Sequence, residues 1–300
     1  MNQRSLLGIE ELDVKQIDAI LRLARKFQHS RPRPIFKEKR IALLFFEAST
    51  RTRISFEFAA KVLGATTTLV SASASSVEKG ESLIDTGLTL RALGVDVIII
   101  RHPSSGAPHL LARHVDVPVI NAGDGLHEHP SQALLDAYTI LQHKKKLKGL
   151  RVAILGDIFH SRVARSEVHL LSKFGAHVSL CGPPELAPEI ASQLAPGVTV
   201  TRTAEEALHQ ADVVVVLRIQ KERLGGKRLS FEDYIARYQL TPERMAMARK
   251  DAILMHPGPV IRGVEITGNL PDYPQSVILN QVHNGVPVRM AILARALGIR

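Results

Sequence analysis

Apolar positions along the chain follow two different spacings. Over residues 14–27 they recur every three or four positions, which predicts an amphipathic helix. Short, continuous apolar runs then alternate with helix-like segments, and this alternation is typical of parallel strands connected by helices. In the first half the pattern predicts strands at residues 41–46, 67–70, 95–100 and 117–120.

The second half begins after a helical pattern over residues 129–143 and a lysine-rich stretch at residues 144–148, which we interpret as a solvated linker. A last helix is predicted at residues 286–297. The predicted strands between them are residues 151–155, 177–180, 198–201, 213–217 and 252–255.

The predicted fold is therefore α/β, with two doubly wound parallel-sheet domains. The first domain is predicted to comprise residues 1–143, completed by a C-terminal helix over residues 286–300. The second is predicted to comprise residues 144–285. A chain of 300 residues is long for a single hydrophobic core, and its 45% hydrophobic content is enough to fill two.

The formal net charge of +10 raises the question of a nucleic-acid partner. The basic residues are spread along the chain, however, and only 4% of residues are aromatic, so there is little to stack bases on. We therefore expect small anionic substrates and no nucleic acid. The apolar runs have strand length and no signal peptide is visible, so we expect a cytoplasmic protein without a membrane partner. The lone Cys181 excludes an internal disulfide.

The junction after the first strand is the most informative segment. The apolar run stops just before Ser49, Thr50, Arg51 and Thr52, where an amphipathic helical pattern begins. Hydroxyl groups, a guanidinium and the unpaired amides of a helix N-terminus together suit a phosphate. Ordinary helix capping is the alternative, but a cap needs only one of these side chains.

Further polar residues follow the next predicted strands. Arg101 ends one strand, where a plain surface arginine is the alternative. His127 and His129 are not interpreted as a metal site, because no cysteine or carboxylate cluster stands at ligand spacing, and no metal is expected. His129 and Gln132 suit a helix start that points a donor at a carbonyl oxygen, although an ordinary helix-start histidine remains open.

The second half offers candidates for binding a dicarboxylate. Arg162 lies near a predicted helix start, and Arg218 and Gln220 follow a strand, so two guanidinium groups end strands at one sheet edge. The segment after the strand at 151–155 has no Gly-x-Gly-x-x-Gly pattern, so no nicotinamide cofactor is expected. The segment containing Gly258 and Pro259 either offers backbone carbonyls to an ammonium group or is only a turn.

These segments together resemble the catalytic chains of the aspartate carbamoyltransferase family, nearly from end to end. The first half of the set is shared with ornithine carbamoyltransferases. The second half differs from them, because ornithine enzymes carry a Cys-Leu-Pro segment where this chain has residues 256–259. Some family members have leucine where this chain has Gly258, so only a backbone contact is implied there. The segments are FFEASTRTR, SSVEKGES, RHP, NAGDGLHEHPSQALLD, GDIFHSRVARS, LRIQKER and HPGPVIRGVEI.

The resemblance implies transfer of a carbamoyl group from carbamoyl phosphate to the α-amino group of L-aspartate, a step of pyrimidine synthesis, without a cofactor. It implies catalytic roles for Arg51, Thr52, Lys79, Arg101 and His129. The residues that the resemblance implies for carbamoyl phosphate are Ser49, Thr50, Arg51, Thr52, Ser75, Arg101, His129, Gln132, Gly258 and Pro259. Those implied for aspartate are Lys79, Arg162, Arg218 and Gln220.

The resemblance also implies a homotrimer in which Ser75 and Lys79 enter the active site of a neighbouring subunit. A regulatory chain or a dihydroorotase is a possible further partner. By composition alone, the segment at residues 71–81 is simply a polar surface loop, and nothing in it distinguishes Lys79 as a ligand. Three rival interpretations are a carbamoyltransferase for another amino acid, a basic nucleic-acid-binding protein and an inactive homologue.

Overall fold

The computed structural model describes residues 2, 4–30, 34–71, 80–220, 230–268 and 273–299. It divides the chain into two units, Met1–Leu135 with His283–Arg300, and Asp136–Val282. Each unit contains its own parallel sheet, which confirms the predicted α/β class with two parallel-sheet domains. The predicted functional boundaries at 143/144 and 285/286 remain predictions. Among the described residues, no helix combines the length and the apolar character needed to span a membrane.

The first unit begins with α1 (Val14–His29), which Asp13 and Gln16 cap reciprocally through side-chain and backbone groups. Its sheet has four strands, whose order is β2-β1-β3-β4, and β1 and β3 lie buried at its centre. The strands are β1 (Arg40–Phe45), β2 (Thr66–Ser71), β3 (Val97–His102) and β4 (Val119–Asp124). The helices that follow the strands are α2 (Thr50–Val62), α3 (Leu83–Ala92), α4 (Ala107–His114) and α5 (Pro130–Lys144).

The second unit contains a five-stranded parallel sheet in the order β7-β6-β5-β8-β9. Its core packs aliphatic strand residues against the buried rings of Tyr234 and Tyr238. The strands are β5 (Arg151–Leu155), β6 (His177–Cys181), β7 (Val198–Thr201), β8 (Val213–Val216) and β9 (Ile253–Met255). The helices are α6 (Arg162–Lys173), α7 (Ala204–Leu208), α8 (Phe231–Tyr238) and α9 (Pro242–Met245). The last helix, α10 (Ile278–Ala296), begins in this unit and from His283 onward belongs to the first unit.

Both sheets reverse their strand order at one point. In the first sheet the reversal falls between β1 and β3, and in the second between β5 and β8. The loops that follow such a pair of strands diverge to opposite sides of the sheet and leave a crevice, where open α/β sheets bind ligands. Residues directly after β1, β3, β5 and β8 therefore line the two binding positions that the topology favours.

Several predicted boundaries were wrong for identifiable reasons. The strands β3 and β4 run on to His102 and Asp124, because polar residues such as Arg101 and Asn121 still pair in the parallel ladder. The last helix begins at Ile278, well before the predicted residue 286. Pro287 lies inside that helix.

The sequence suggested that the lysine-rich stretch is a solvated linker, but part of this stretch is buried. Lys144 belongs to α5, and its side chain is only 7% exposed. Its ammonium nitrogen lies 2.7 Å from Oδ2 of Asp251. Leu147 is buried as well, so this stretch is partly packed within the second unit.

Candidate active site

The N-terminus of α2 forms an open polar surface in the first unit. Ser49 is the N-cap residue, yet its side chain makes no capping hydrogen bond within the helix. Helix geometry leaves the amides of the first turn without intrahelical acceptors, and no acidic residue occupies that turn. Thr50 and Arg51 are exposed beside it. Amides, hydroxyls and a guanidinium are thus available to one anion at this point.

Thr52 and His129 meet next to this surface. Thr52 is 4% exposed, and its Oγ1 lies 3.5 Å from Nε2 of His129. The other ring nitrogen of His129 lies 3.5 Å from Oγ of Ser131. His129 is buried immediately before α5, and its carbonyl accepts the amide N–H of Gln132. These contacts bring residues predicted from two separate segments into one cluster.

Arg101 lies at the carboxyl end of β3, across the strand-order reversal from α2. Its Nη1 donates to the carbonyl of Ala122 at 3.2 Å, and its Nε lies 3.6 Å from Oε2 of Glu47. Glu47 follows β1 and precedes Ser49 by two residues. The sequence-based prediction missed Glu47, although it lies in the most informative motif, because a carboxylate beside a phosphate site looks unfavourable until its arginine partner is known.

Asp124, at the end of β4, is the polar centre of the loop that leads to His129. Its two oxygens accept hydrogen bonds from Nδ2 of Asn121, the amides of Gly106 and Glu128, and the ring of His127. Burial alone would raise the pKa of Asp124, but these hydrogen bonds outweigh that effect and lower it. The hydrogen bond to Asp124 in turn raises the pKa of His127.

In the second unit, Asp157 holds the segment that contains Gln220. Oδ2 of Asp157 accepts the Gln220 amide at 3.1 Å, and its Oδ1 accepts from the His160 ring at 2.9 Å. The side-chain amide of Gln220 donates to the carbonyl of His160 at 2.9 Å. The loops after β5 and β8 are thereby tied together at the strand-order reversal of this sheet.

Glu265 also holds the segment that contains Gln220. Its Oε1 accepts the amide of Ile219 at 2.9 Å, and its Oε2 accepts the amide of Ile261 at 2.7 Å. Nδ1 of His256 accepts the amide of Gly258 at 2.8 Å, so the ring proton belongs on Nε2, which lies 3.4 Å from Oε2 of Glu265. Both side chains are fully buried.

The predicted arginines of the second unit follow β5 and β8, the two strands at its strand-order reversal. Arg162 is the first residue of α6, after its N-cap Ser161, and is buried. Arg218 follows β8 and is half-buried. Gly258 and Pro259 are joined by a cis peptide bond after β9. Ser75 and Lys79 lie outside the described residues.

Gly156 has a packing role. A Cβ atom added there would lie 2.7 Å from the carbonyl oxygen of Leu217, so side chains larger than hydrogen do not fit between β5 and β8. Its φ of 122° is also a conformation that glycine tolerates best.

Two family models cover almost the whole chain. "Aspartate/ornithine carbamoyltransferase, carbamoyl-P binding domain" matches residues 4–142, and "Aspartate/ornithine carbamoyltransferase, Asp/Orn binding domain" matches residues 148–296. The chain belongs to the aspartate/ornithine carbamoyltransferase family. The family resemblance inferred from the sequence motifs is thereby confirmed.

Relatives within this family are similar over their full length. A protein of Koribacter versatilis (strain Ellin345) named aspartate carbamoyltransferase catalytic subunit is 63% identical over 294 residues, covering 98% of this chain and 97% of the relative. A protein of the same name from Solibacter usitatus (strain Ellin6076) is 54% identical over 298 residues, covering 98% and 99%.

Solved structures of the family share the fold of both units. An ornithine carbamoyltransferase from Pyrococcus furiosus has a TM-score of 0.89 at 29% identity, covering 100% of this chain and 99% of its own. An aspartate transcarbamoylase from Trypanosoma cruzi, in complex with N-(phosphonacetyl)-L-aspartic acid, has a TM-score of 0.87 at 32% identity, covering 97% and 95%. Backbone similarity alone therefore does not separate the two acceptors.

Proposed function

We propose that this carbamoyltransferase is the catalytic chain of an aspartate carbamoyltransferase. It transfers the carbamoyl group of carbamoyl phosphate to the α-amino group of L-aspartate, with N-carbamoyl-L-aspartate and phosphate as products. The observation that carries the proposal is the open N-terminus of α2, with Arg51 exposed beside it and Thr52 in contact with His129. The names of the relatives favour aspartate, since the full-length matches at 63% and 54% identity are both aspartate enzymes.

The first unit supplies the groups that we assign to carbamoyl phosphate. Ser49, Thr50, Arg51 and the first-turn amides of α2 bind the phosphate, which a helix N-terminus favours electrostatically. Thr52, Arg101 and His129 donate to the carbamoyl oxygen. Gln132 and the backbone at Gly258 and Pro259 are assigned to the carbamoyl amino group.

The second unit supplies the groups that we assign to aspartate. Arg162 and Arg218 carry two guanidinium forks, which match the geometry of two carboxylates, and Gln220 adds an amide. Asp157 and Glu265 accept amides of the Arg218–Gln220 segment and so fix its backbone before substrate arrives. Lys79 is assigned to aspartate by family resemblance alone.

The chemistry requires positive donors more than it requires a nucleophile. When the amine of aspartate attacks the carbamoyl carbon, negative charge grows on the former carbonyl oxygen before phosphate leaves. A preorganised donor at such an oxygen is worth about 3–4 kcal/mol. Direct attack of the amine on the carbamoyl carbon needs no covalent enzyme intermediate. The departing phosphate can accept the amine proton, so no protein base is assigned. Bringing two anions together in a favourable orientation contributes up to about 7–11 kcal/mol.

One assay tests this function. Phosphate release from carbamoyl phosphate is measured with L-aspartate, with L-ornithine and without an acceptor. We expect release that depends on aspartate, with N-carbamoyl-L-aspartate formed in equal amount. Faster release with ornithine would assign the chain to the other branch of the family, and tight salt-dependent nucleic-acid binding without phosphate release would contradict the proposal as a whole.

We also propose a homotrimer in which Ser75 and Lys79 serve a neighbouring active site. Three exposed apolar side chains on neighbouring elements support an interface: Phe58 and Val62 on α2 and Leu69 on the edge strand β2. In a trimer that mixes Lys79→Ala and His129→Ala chains, one kind of interface pairs the intact Lys79 of one chain with the intact His129 of its neighbour. Mixing the two inactive variants should therefore restore up to about one active site of the three. No recovery after proven subunit exchange would rule out the shared site.

A role in pyrimidine synthesis follows from the name of the relatives and is proposed for this chain on that basis. A cytoplasmic location, and association with a regulatory chain or a dihydroorotase, are proposals that rest on family resemblance. Co-purification of the native protein, followed by mass measurement of the intact assembly, tests the last of them.

A further inference from the structure

A cluster of metal-ligand residues lies in the first unit, apart from the groups assigned to carbamoyl phosphate. His109 comes from the first turn of α4, while Asp124 and His127 come from the end of β4 and the loop after it. One ligand atom from each residue lies within 4.8 Å of the other two. In a tetrahedral zinc site, bonds of about 2.0–2.2 Å place neighbouring ligand atoms roughly 3.3–3.6 Å apart. Small side-chain rotations therefore suffice to close the cluster around an ion.

The hydrogen bonding of His109 is that of a metal ligand. Its Nε2 lies 2.6 Å from Oε1 of Glu11 and donates its proton to that carboxylate. In the neutral ring this leaves Nδ1 as the acceptor nitrogen, and this atom is buried without a hydrogen-bond partner among the described residues. A carboxylate that orients one ring nitrogen while the other holds the metal is the usual outer-shell arrangement of ligating histidines.

Asp124 and His127 already stand at ligand spacing. Nδ1 of His127 lies 3.1 Å from Oδ2 of Asp124. Oδ1 of Asp124 is held by Asn121 and by the amide of Glu128, so the carboxylate cannot turn away. The His109 and His127 rings meet edge to face, with centroids 5.5 Å apart. His127 is half-buried, which leaves room for a water molecule to complete the coordination.

We propose that His109, Asp124 and His127 bind one divalent transition-metal ion of the zinc type. Two imidazoles and one carboxylate suit Zn²⁺ and Co²⁺ and are a poor set for Mg²⁺ or Ca²⁺, which prefer oxygen ligands. Binding displaces the proton that His127 donates to Asp124 and releases it to solvent. The ion fastens α4 to the loop before α5, so its role is structural.

Cobalt titration of the full-length, chelator-treated protein tests the site. Co²⁺ is added to the wild type while the visible absorption of four-coordinate cobalt is recorded, and Zn²⁺ is then added to displace it. We expect one Co²⁺ per chain. His109→Ala and His127→Ala should each weaken binding at least about tenfold, and Glu11→Gln, which removes only the orienting carboxylate, by about tenfold. His114→Ala, on the exposed end of α4, is the matched control and should bind as the wild type does.

A second measurement does not depend on the spectrum. Zn²⁺ should raise the unfolding midpoint of the wild type and of His114→Ala, and leave that of His127→Ala unchanged. Circular dichroism in the absence of metal checks that the variants fold. Absence of the cobalt spectrum at millimolar Co²⁺, wild-type affinity in His109→Ala, or loss in only one of the two histidine variants would each overturn the three-residue site. None of these outcomes bears on carbamoyl transfer.

Discussion

The two units present their proposed substrate-binding groups by different physical means. In the first unit, Ser49 to Thr52 are consecutive residues, and the helix that they start supplies both their position and a favourable field. In the second unit, the segment Arg218–Gln220 belongs to no helix or strand and is held by buried carboxylates far away in sequence. Asp157 is 63 residues from the amide that it accepts, and Glu265 is 46 residues from its own.

This difference determines which substitutions are expected to weaken substrate binding in each unit. A helix N-terminus keeps its amides in place through backbone hydrogen bonds, so only the residues that touch the anion matter strongly. A loop held by charge-assisted hydrogen bonds depends in addition on residues that never contact substrate. Substitutions that weaken aspartate binding are therefore expected both at the arginines and at the carboxylates behind them.

The largest effect is expected at α2, the helix to which we assign the phosphate. Arg51→Ala removes the guanidinium beside the N-terminus of α2 and should lower kcat/KM by about 100- to 1000-fold, the loss typical of one preorganised donor. Circular dichroism and the unfolding midpoint should remain those of the wild type, because Arg51 is exposed. Steady-state kinetics with varied carbamoyl phosphate measures the loss.

Lys61→Ala is the control for this substitution. Lys61 lies at the other end of α2, where it pairs with Glu57 on the solvent side. Its replacement should leave both kinetic constants unchanged within about twofold. If Arg51→Ala and Lys61→Ala behave alike, the phosphate site is not at this helix.

Arg218→Ala should act on the other substrate. Removal of one guanidinium fork is expected to raise the KM for aspartate by about 10- to 100-fold and to change the KM for carbamoyl phosphate little. Arg237→Ala, an exposed arginine on α8, serves as the control. An equal rise in both KM values would show that Arg218 acts on the whole site and would contradict the division of roles between the units.

The segment His127, Glu128 and His129 illustrates what a sequence pattern can and cannot predict. These three adjacent polar residues each contact a different part of the protein. His127 contacts Asp124, Glu128 accepts the amides of Ile9 and Glu10, and His129 faces Thr52. The placement of His129 at a helix start was predictable from Pro130. Asp124, the partner of His127, lies only three residues earlier in the chain. The partners of Glu128 and His129 come from distant parts of the chain, so spacing alone carried no information about those two.

The same reasoning explains which parts of the fold were predictable. The strands β1, β3, β5 and β8 beside the two strand-order reversals were predictable because each is a largely apolar run in a buried parallel sheet. The phosphate site could be proposed from the sequence because strand, cap and helix are contiguous there. Glu47, Asp124, Asp157 and Glu265 were missed as functional groups. Each is a carboxylate with at least one partner distant in the sequence, and an isolated Asp or Glu in a loop is most often only solvated.

Glu265→Gln tests the idea that the second unit depends on residues behind the site. The amide group of glutamine places a donor against one of the amides of Ile219 and Ile261, so one charge-assisted hydrogen bond is lost. We expect the KM for aspartate to rise about tenfold, the KM for carbamoyl phosphate to stay constant, and stability to fall by about 1–3 kcal/mol. Urea denaturation and steady-state kinetics measure the two effects.

Glu243→Gln, on the exposed surface of α9, is the corresponding control and should alter neither quantity. A stability loss in Glu265→Gln without any change in the aspartate KM would show that Glu265 supports the fold alone. In that case the segment Arg218–Gln220 would be held by Asp157 without help from Glu265.

The smallest effects separate the two units through a matched pair of serines. Ser49 and Ser161 are both N-cap residues, of α2 and α6, and each directly precedes residues assigned to substrate. Oγ of Ser161 accepts the Ala164 amide at 3.1 Å, whereas Ser49 makes no side-chain cap bond. An N-cap side chain that accepts a backbone amide of its helix stabilises a protein by about 1 kcal/mol.

Ser161→Ala should therefore lower the free energy of unfolding by about 1 kcal/mol, while Ser49→Ala should lower it by less than about 0.5 kcal/mol. The KM for carbamoyl phosphate should show the reverse order of effects. Ser49→Ala should raise this KM severalfold, because we assign the uncapped hydroxyl of Ser49 to the phosphate. Ser161→Ala should leave this KM unchanged. Urea midpoints and KM values for both variants provide the measurement. Equal stability losses in the two variants would mean that Ser49 is an ordinary cap, and the phosphate site would then rest on Arg51 and the helix amides alone.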